Sequence, residues 1–571
     1  MDTPAPFTLT SARLGALPLI RHFAARMGLG RLLDTWVPAD DPRLALDPAA
    51  VIAALIANLA TGHQPLYALG EWAAGYDPSL LGLGRRGAGL LNDDRAGRVL
   101  DRLFRADRGS LLTELMTGVI SEFDIDSAQL HNDSTSVTVH GEYQQAGGGD
   151  VDGVPTARVT WGHSKDHRPD LKQLVFILTV SGDNAVPVIY RLAGGNTIDD
   201  PTHIPTWDTL TRLTGRTDFL YVADCKLASD DAMRHIHRGG GRFITVLPRG
   251  RREDTAFRAW IQDHQPAWEE ATRVRGRAGE PDVVHSVCEA PWPSAAGYRI
   301  IWVHDSARQL HDAAARARRI AAGVTAIEED LAARLSSPWT RLRTAGAVHG
   351  AAKAALAGAH ASRWVRYAIT EHTTQTRKQT RRGRPGPGTT YQTITRKSFQ
   401  ISCDIDDEQA ARDAASDGCW PLITNDTAMT GVQILAAYHY QPNLERRHHL
   451  LKGIQDAAPV WIKTITRIEA IFLCHFIALL ICALIERQIR TAMKTAQITS
   501  IPLYPELRSC AAPSADRIFE IFSHLTRHEL HDADGTQIQV FEPQLTSLQQ
   551  QILDLLGIPA TAYTTSSQTD H

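Results

Sequence analysis

The run Ile468 to Ile485, IEAIFLCHFIALLICALI, sets the tightest limit on how this chain can fold. As an α-helix it would be roughly 27 Å long, about the thickness of a bilayer core. Such a helix either crosses a membrane or stands at the centre of a large protein core. Glu469 and His475 lie inside the run, and Glu486, Arg487 and Arg490 follow at once. Charges in and directly behind the segment favour a helix buried in protein. A core of that kind needs much chain around it. The 571 residues, 43% apolar, are too many for one ordinary domain and suffice for more than one core.

The net charge of −3 and pI near 6.8 exclude a protein that is basic all over. A polyanion partner needs only a local positive face, so charge does not exclude nucleic acid. The seven cysteines are scattered without a CxxC pair, which argues against a zinc ribbon or a disulfide framework and fits a reducing cytoplasm. The opening MDTPAPFTLTSARLG has no basic stretch followed by an apolar one, so export is not expected.

Residues 1–125 read as a helical N-terminal domain, with Asp47-Pro48 opening one helix and Asn92-Asp93 another. Its mixed charge leaves DNA binding and a structural or dimerising role both open. Residues 126–250 change to strands with one or two helices. Leu174 to Val180 and Val186 to Leu192 pair around Gly182-Asp183-Asn184, and Pro201 to Leu213 reads as a helix. Residues 251–412 form an insertion, with a helix at Ala313 to Leu335 and strands at Trp364 to Thr370 and Ser398 to Ile405. The strands flank TRKQTRRGRPGPGTTYQTITRK, the most basic stretch, whose Arg381, Arg382 and Arg384 would sit at a hairpin tip. That tip could lie along phosphates or be a plain solvated loop. Residues 413–495 carry a strand, a helix from Gln441 and the apolar helix. In 496–571 a strand at Gln537 to Phe541 and a helix at Thr546 to Leu556 precede a tail that reads as disordered.

Three acids stand out against this background. Asp133 lies inside the strand-like LHNDSTSVTVHGEY, where an acid needs solvent, a cation or a hydrogen-bonded partner. Asp224 ends the short buried run Phe219 to Ala223. Glu445 belongs to the helix from Gln441, two turns before Lys452. Two strand acids and a helix acid can converge at the end of a sheet. Phosphodiester chemistry with two divalent ions about 3.5–4 Å apart needs such a set, and hard oxygen ligands select magnesium or manganese over zinc. His163, His167, His448 and His449 show no zinc spacing, and GxSxG, P-loop and HExxH motifs are absent.

These residues carry a resemblance that covers nearly the whole chain. The sequence resembles bacterial insertion-sequence transposases of the DDE type, from the branch whose signature is Tyr, two residues, Arg, three residues, Glu, six residues, Lys. Tyr438, Glu445 and Lys452 occupy those places, and Gln441 stands where the signature has arginine. NDSTS around Asp133, YVADCK around Asp224, GHSKDHRPDLKQ from Gly162 and LNDDRAGRVLD in the N-terminal region match as well. The acids are 91 and 221 residues apart, and the second interval leaves room for a large insertion.

The resemblance implies an α/β (α+β) fold: an RNase H-like mixed sheet with flanking helices, interrupted by the insertion, plus the helical N-terminal domain. It also implies a cytoplasmic, nucleoid-associated enzyme that binds terminal inverted repeats, cuts at the element ends and joins the 3′-hydroxyl to target DNA. Asp133, Asp224 and Glu445 would be catalytic and hold two magnesium or manganese ions. Tyr438 and Lys452 would contact the DNA backbone, and Arg446 or Arg447 could make the contact of the signature's arginine, which Gln441 replaces. The partners would be double-stranded DNA and a second copy of the chain on paired ends, with neither membrane nor zinc. A nuclease of the same fold that never joins, and an inactive DNA-binding repressor, are the alternatives.

Overall fold

The computed structural model describes residues 7–41, 44–62, 64–84, 87–141, 143, 148–277, 279–458 and 460–564. The terminal 565–571, expected to be disordered, lie outside them. The chain divides into two compact units, Met1–Thr245 with Ala436–His571, and Val246–Leu435.

The first unit is built on a five-stranded mixed sheet of β1 (Gln129–Val139), β2 (Lys172–Ser181), β3 (Pro187–Gly194), β4 (Leu220–Ala223) and β5 (Arg242–Val246). Their order is β3-β2-β1-β4-β5. β2 runs antiparallel to both neighbours, while β1, β4 and β5 are parallel. This is the mixed sheet with flanking helices that was expected. β2, KQLVFILTVS, is buried along nearly its whole length, which explains its unbroken apolar run. The β1–β4 register pairs Asn132 with Ala223, so Asp133 and Asp224 each follow that pair by one step. Two acids far apart in sequence thus become neighbours at the end of β4.

Two helices complete this arrangement: α1 (Gln441–Lys452), which packs on β1 and β2, and α2 (Ile465–Thr495), which packs on β3. At 31 residues α2 is long and apolar enough to cross a bilayer, but its apolar window is entirely buried inside the protein. The sequence-based choice of a core helix is what the structure contains. Phe472 and Phe476 of α2 meet Phe176 and Tyr190 of the sheet, with ring centroids 5.7 and 5.0 Å apart. Helices Pro48–Thr61, Asp93–Arg105 and Ser547–Leu556 surround the rest. Asp47 and Asn92 cap the first two, as the sequence suggested, by accepting from Ala50 N at 3.0 Å and Arg95 N at 2.9 Å. The N-terminal helices share one continuous hydrophobic core with α2 and the sheet.

Three buried polar groups of α2 are partnered. Glu469 meets Arg108 at 2.9 Å, His475 Nδ1 lies 3.1 Å from the Gln455 amide, and Glu486 lies 2.8 Å from Arg447 of α1. Both members of the last pair are about 2% exposed or less.

The all-helical reading of 1–125 missed the strand Phe7–Arg13, which pairs with Thr526–Asp532 and through it with Gln537–Phe541. Thr10 faces Glu529 there, a partner that no local pattern can reveal.

The second unit contains β6 (Glu269–Val274), β7 (Val283–Glu289), β8 (Arg299–Asp305), β9 (Val365–Gln379), β10 (Tyr391–Ile405) and β11 (Cys419–Thr424). β6, β7, β8 and β11 form antiparallel pairs in that order. β9 and β10 make a separate two-stranded ribbon. Helices Ser306–Thr325 and Ala345–Gly358 flank a small core that includes Val348, Leu356, Val365 and Phe399. β6, EEATRV, was not legible in the sequence because a largely exposed strand has no apolar alternation, whereas β8 carries a buried apolar run, Ile300 to Val303, that is a strand signal.

Truncating Glu486 to Ala leaves the Arg447 charge buried, and should cost about 3–5 kcal/mol in urea unfolding. The double change Arg447→Met, Glu486→Leu should cost much less, since neither charge then remains to be desolvated. Equal losses in the two variants would show that the pair acts by packing alone.

Candidate active site

Asp133 stands on β1 with its carboxylate mostly buried. Oδ1 accepts from Ser134 N at 2.8 Å, and the Lys165 ammonium lies 3.7 Å away. Burial drives its pKa up to about 6, with the charges of Asp224 and Asp199 adding to the rise and Lys165 opposing it. Asp224 is also pushed up by burial, and Asp199 raises it further. Its Oδ1 accepts from Lys226 N at 3.0 Å, and its own carbonyl accepts from the Thr245 hydroxyl at 2.5 Å, which ties the end of β4 to β5.

Two residues that sequence reasoning missed complete this end of the sheet. Lys165 donates to Ser134 O at 2.6 Å and Ser134 Oγ at 2.9 Å, and its ammonium lies 3.7 Å from both Asp133 and Asp199. Asp199 accepts from Ser134 Oγ at 2.7 Å. Lys165 belongs to the GHSKDHRPDLKQ run, which is itself a sequence signal. Asp199, in NTIDDP, had none.

Helix α1 turns Leu444, Arg447, His448 and Leu451 inward, and leaves Glu445 and Arg446 exposed. His448 Nδ1 is 3.8 Å from Asp133 Oδ2, but burial, helped by Lys165 and Lys452, lowers its pKa to about 3. The ring is neutral, and this approach is no ion pair. Tyr438 is raised by burial first and then by the charges of Asp224, Cys225, Asp133 and Glu445. Its phenol therefore lies within electrostatic reach of all three expected acids.

Gln441 is buried. It donates to Asn132 O at 3.2 Å, and its Oε1 lies 3.1 Å from His131 Nδ1. The residue in the signature's arginine place thus pins α1 to β1 beside Asp133. Arg447, considered as a substitute for DNA contact, is instead enclosed: it donates to Ala185 O and Asn184 O at 2.9 and 3.0 Å and pairs with Glu486. Its guanidinium is used up in holding α1 in place. Lys452 donates to both Asp166 oxygens, at 2.6 and 2.8 Å, in a partly exposed pair. Arg381, Arg382 and Arg384 are exposed in the β9–β10 turn, in the second unit.

The donor chemistry suits a hard divalent cation. Asp133 and Asp224 are half-buried carboxylates whose ionised forms burial opposes, and a cation placed between them would reverse that penalty. As the side chains stand, no group of three or more His, Cys, Asp or Glu among the described residues is close-set enough to hold a metal ion. Glu445 is exposed on α1.

Residues 9–117 match the family model described as "Domain of unknown function (DUF4277)". No curated protein matches the chain. Among solved structures, one match is the cryo-EM structure of a piggyBac transposase synaptic complex with hairpin DNA. It has 10% identity and a TM-score of 0.25, and covers 49% of this chain. The chain spans 61% of that protein's length.

The Asp133 carboxyl gives a pH-dependent prediction. Its folded pKa is raised, so the stability from the neutral form is fully present below about pH 4 and is lost as pH rises through about 6. With divalent ions removed, Asp133→Asn should stabilise the protein by roughly 1–2 kcal/mol at about pH 8 and leave it unchanged at about pH 4. Urea unfolding at the two pH values checks this. A variant no more stable at the higher pH would mean that Lys165 already neutralises the carboxylate.

Proposed function

We propose that this chain is a DNA transposase of the bacterial insertion-sequence type, from the branch with the Tyr-Arg-Glu-Lys signature. It binds terminal inverted repeats, cleaves at the element ends and joins the freed 3′-hydroxyl to target DNA. The observation that carries this reading is the juxtaposition of Asp133, within β1, and Asp224, just past the end of the adjacent parallel strand β4, with Tyr438 in reach of both and of Glu445. Asp133, Asp224 and Glu445 are the residues that would hold two magnesium or manganese ions, which when bound activate an attacking oxygen and stabilise a leaving one.

The other roles follow from the side chains themselves. Tyr438 stays protonated, because burial and the surrounding acids disfavour its phenolate, and so offers a donor to a phosphate oxygen. Lys452 is held by Asp166 in a partly exposed pair, and exchanges that carboxylate for a DNA phosphate. Arg446, exposed beside Glu445 on α1, adds a second backbone contact. Lys165, 3.7 Å from both Asp133 and Asp199, offsets part of their charge. Contacts of this kind set register and carry no sequence information. Paired ends call for two copies of the chain, so the active form is a homodimer on DNA.

A DNA fragment bearing the inverted repeats that flank this chain's own gene should be cut at the repeat ends and joined to a target when magnesium is supplied. Asp224→Asn should lower both yields about a thousandfold or more, since several kcal/mol of charge stabilisation is removed. Manganese should raise the melting temperature of the native protein and leave that of the Asp133→Asn, Asp224→Asn double variant unmoved. Cutting that ignores the repeat and never joins would replace this reading with a nuclease of the same fold. Repeat binding without any metal-dependent cutting would leave a repressor.

A further inference from the structure

We propose that the outer part of the β9–β10 ribbon is an arm that enters the major groove of duplex DNA, an inference that rests on the DNA-directed function above. Only the base of the ribbon is held by its own unit. Val365 and Phe399 are buried there, and Tyr367, Ile369, Ile401 and Cys403 pack against the same core. Beyond Thr370 nearly every side chain on both faces is exposed. An isolated two-stranded ribbon is marginal in water. This one nevertheless continues in unbroken register from the Thr370–Gln400 pair to Gln379–Tyr391. That is roughly 34 Å at about 3.4 Å per residue, close to one turn of the double helix.

The register also decides where the charges lie. Arg377 pairs with Thr393 on one face, whereas Lys378 beside Gln392 and Arg396 beside Thr374 lie on the other. Arg381, Arg382 and Arg384 occupy the tip, and from His372 to Cys403 the sequence has no acid. Lys397 is left out of the set because Glu371 holds it at 2.7 Å. The remaining positions are mostly Thr and Gln, which can hydrogen-bond with base edges or phosphates.

A ribbon with cations on both faces and at its tip fits a partner that presents negative charge on two sides. The two phosphate walls of a groove do so. A flat acidic surface, whether protein or lipid, would satisfy one face only. Strands about 4.8 Å apart fit a major groove about 12 Å wide, whereas the deep, narrow major groove of A-form RNA does not admit them.

The test uses the full chain and a variant combining R377Q, K378Q, R381Q, R382Q, R384Q and R396Q. Circular dichroism should show both equally folded, since none of the six side chains lies in the core. Binding of a labelled mixed-sequence DNA duplex of about three helical turns is followed by fluorescence anisotropy across a salt series. The slope of log Kd against log salt should be flatter by about five in the variant, with affinity near physiological salt weaker by about a hundredfold or more. The native protein should prefer this duplex to an RNA duplex of the same sequence. If the native protein binds the duplex and the variant matches its slope, the arm is not the contact, while the transposase reading stands. Equal affinity for the RNA duplex would overturn groove entry. If the native protein binds no duplex at any salt, both readings fall together.

Discussion

The ion pair between Arg447 and Glu486 is the interaction on which the site depends. Glu486 sits near the end of the central helix, whose burial organises the whole first unit, and Arg447 sits on the helix that carries Glu445. A charge this deep is tolerable only when its partner and hydrogen bonds are fixed. The pair therefore sets where α1 can lie. At the first residue of α1, Gln441 bonds to the backbone of Asn132, next to Asp133. One helix is thus held at its middle to the core pillar and at its start to the strand bearing the first acid.

That attachment suits an amide at position 441. A guanidinium in place of Gln441 would be buried against His131, whose own charge burial already suppresses. An amide instead satisfies a strand carbonyl without bringing a charge into the interior. Arg447 holds the helix from within, and the exposed Arg446 remains on the outer face.

The electrostatics of the sheet end show a balance between acids and a resident cation. The charges of Asp224 and Asp199 raise Asp133, Asp199 raises Asp224, and Lys165 lies near Asp133 and Asp199 while donating to Ser134, which in turn donates to Asp199. Carboxylates crowded in this way gain from any further positive charge that reaches them. Tyr438, set among the same acids, remains a neutral donor.

The sequence by itself determined which segments become buried helix and strand, since the 468–485 run, the paired strands around Gly182 and the caps at Asp47 and Asn92 are local signals. It also marked Asp133, Asp224, Glu445 and Lys452 through their spacing and context. Only the tertiary structure decided which of them meet. The β1–β4 register placed the two aspartates side by side, the Arg447–Glu486 pair drew one arginine of α1 into the core, and Asp199 entered the site from a loop with no pattern of its own. The strand at 7–13 and the half-exposed strands of the second unit were likewise settled by partners remote in sequence. Periodicity reports which face of a segment is buried. It says nothing about which distant backbone supplies the hydrogen bonds or which buried charge supplies the partner, and those were the terms that built the site.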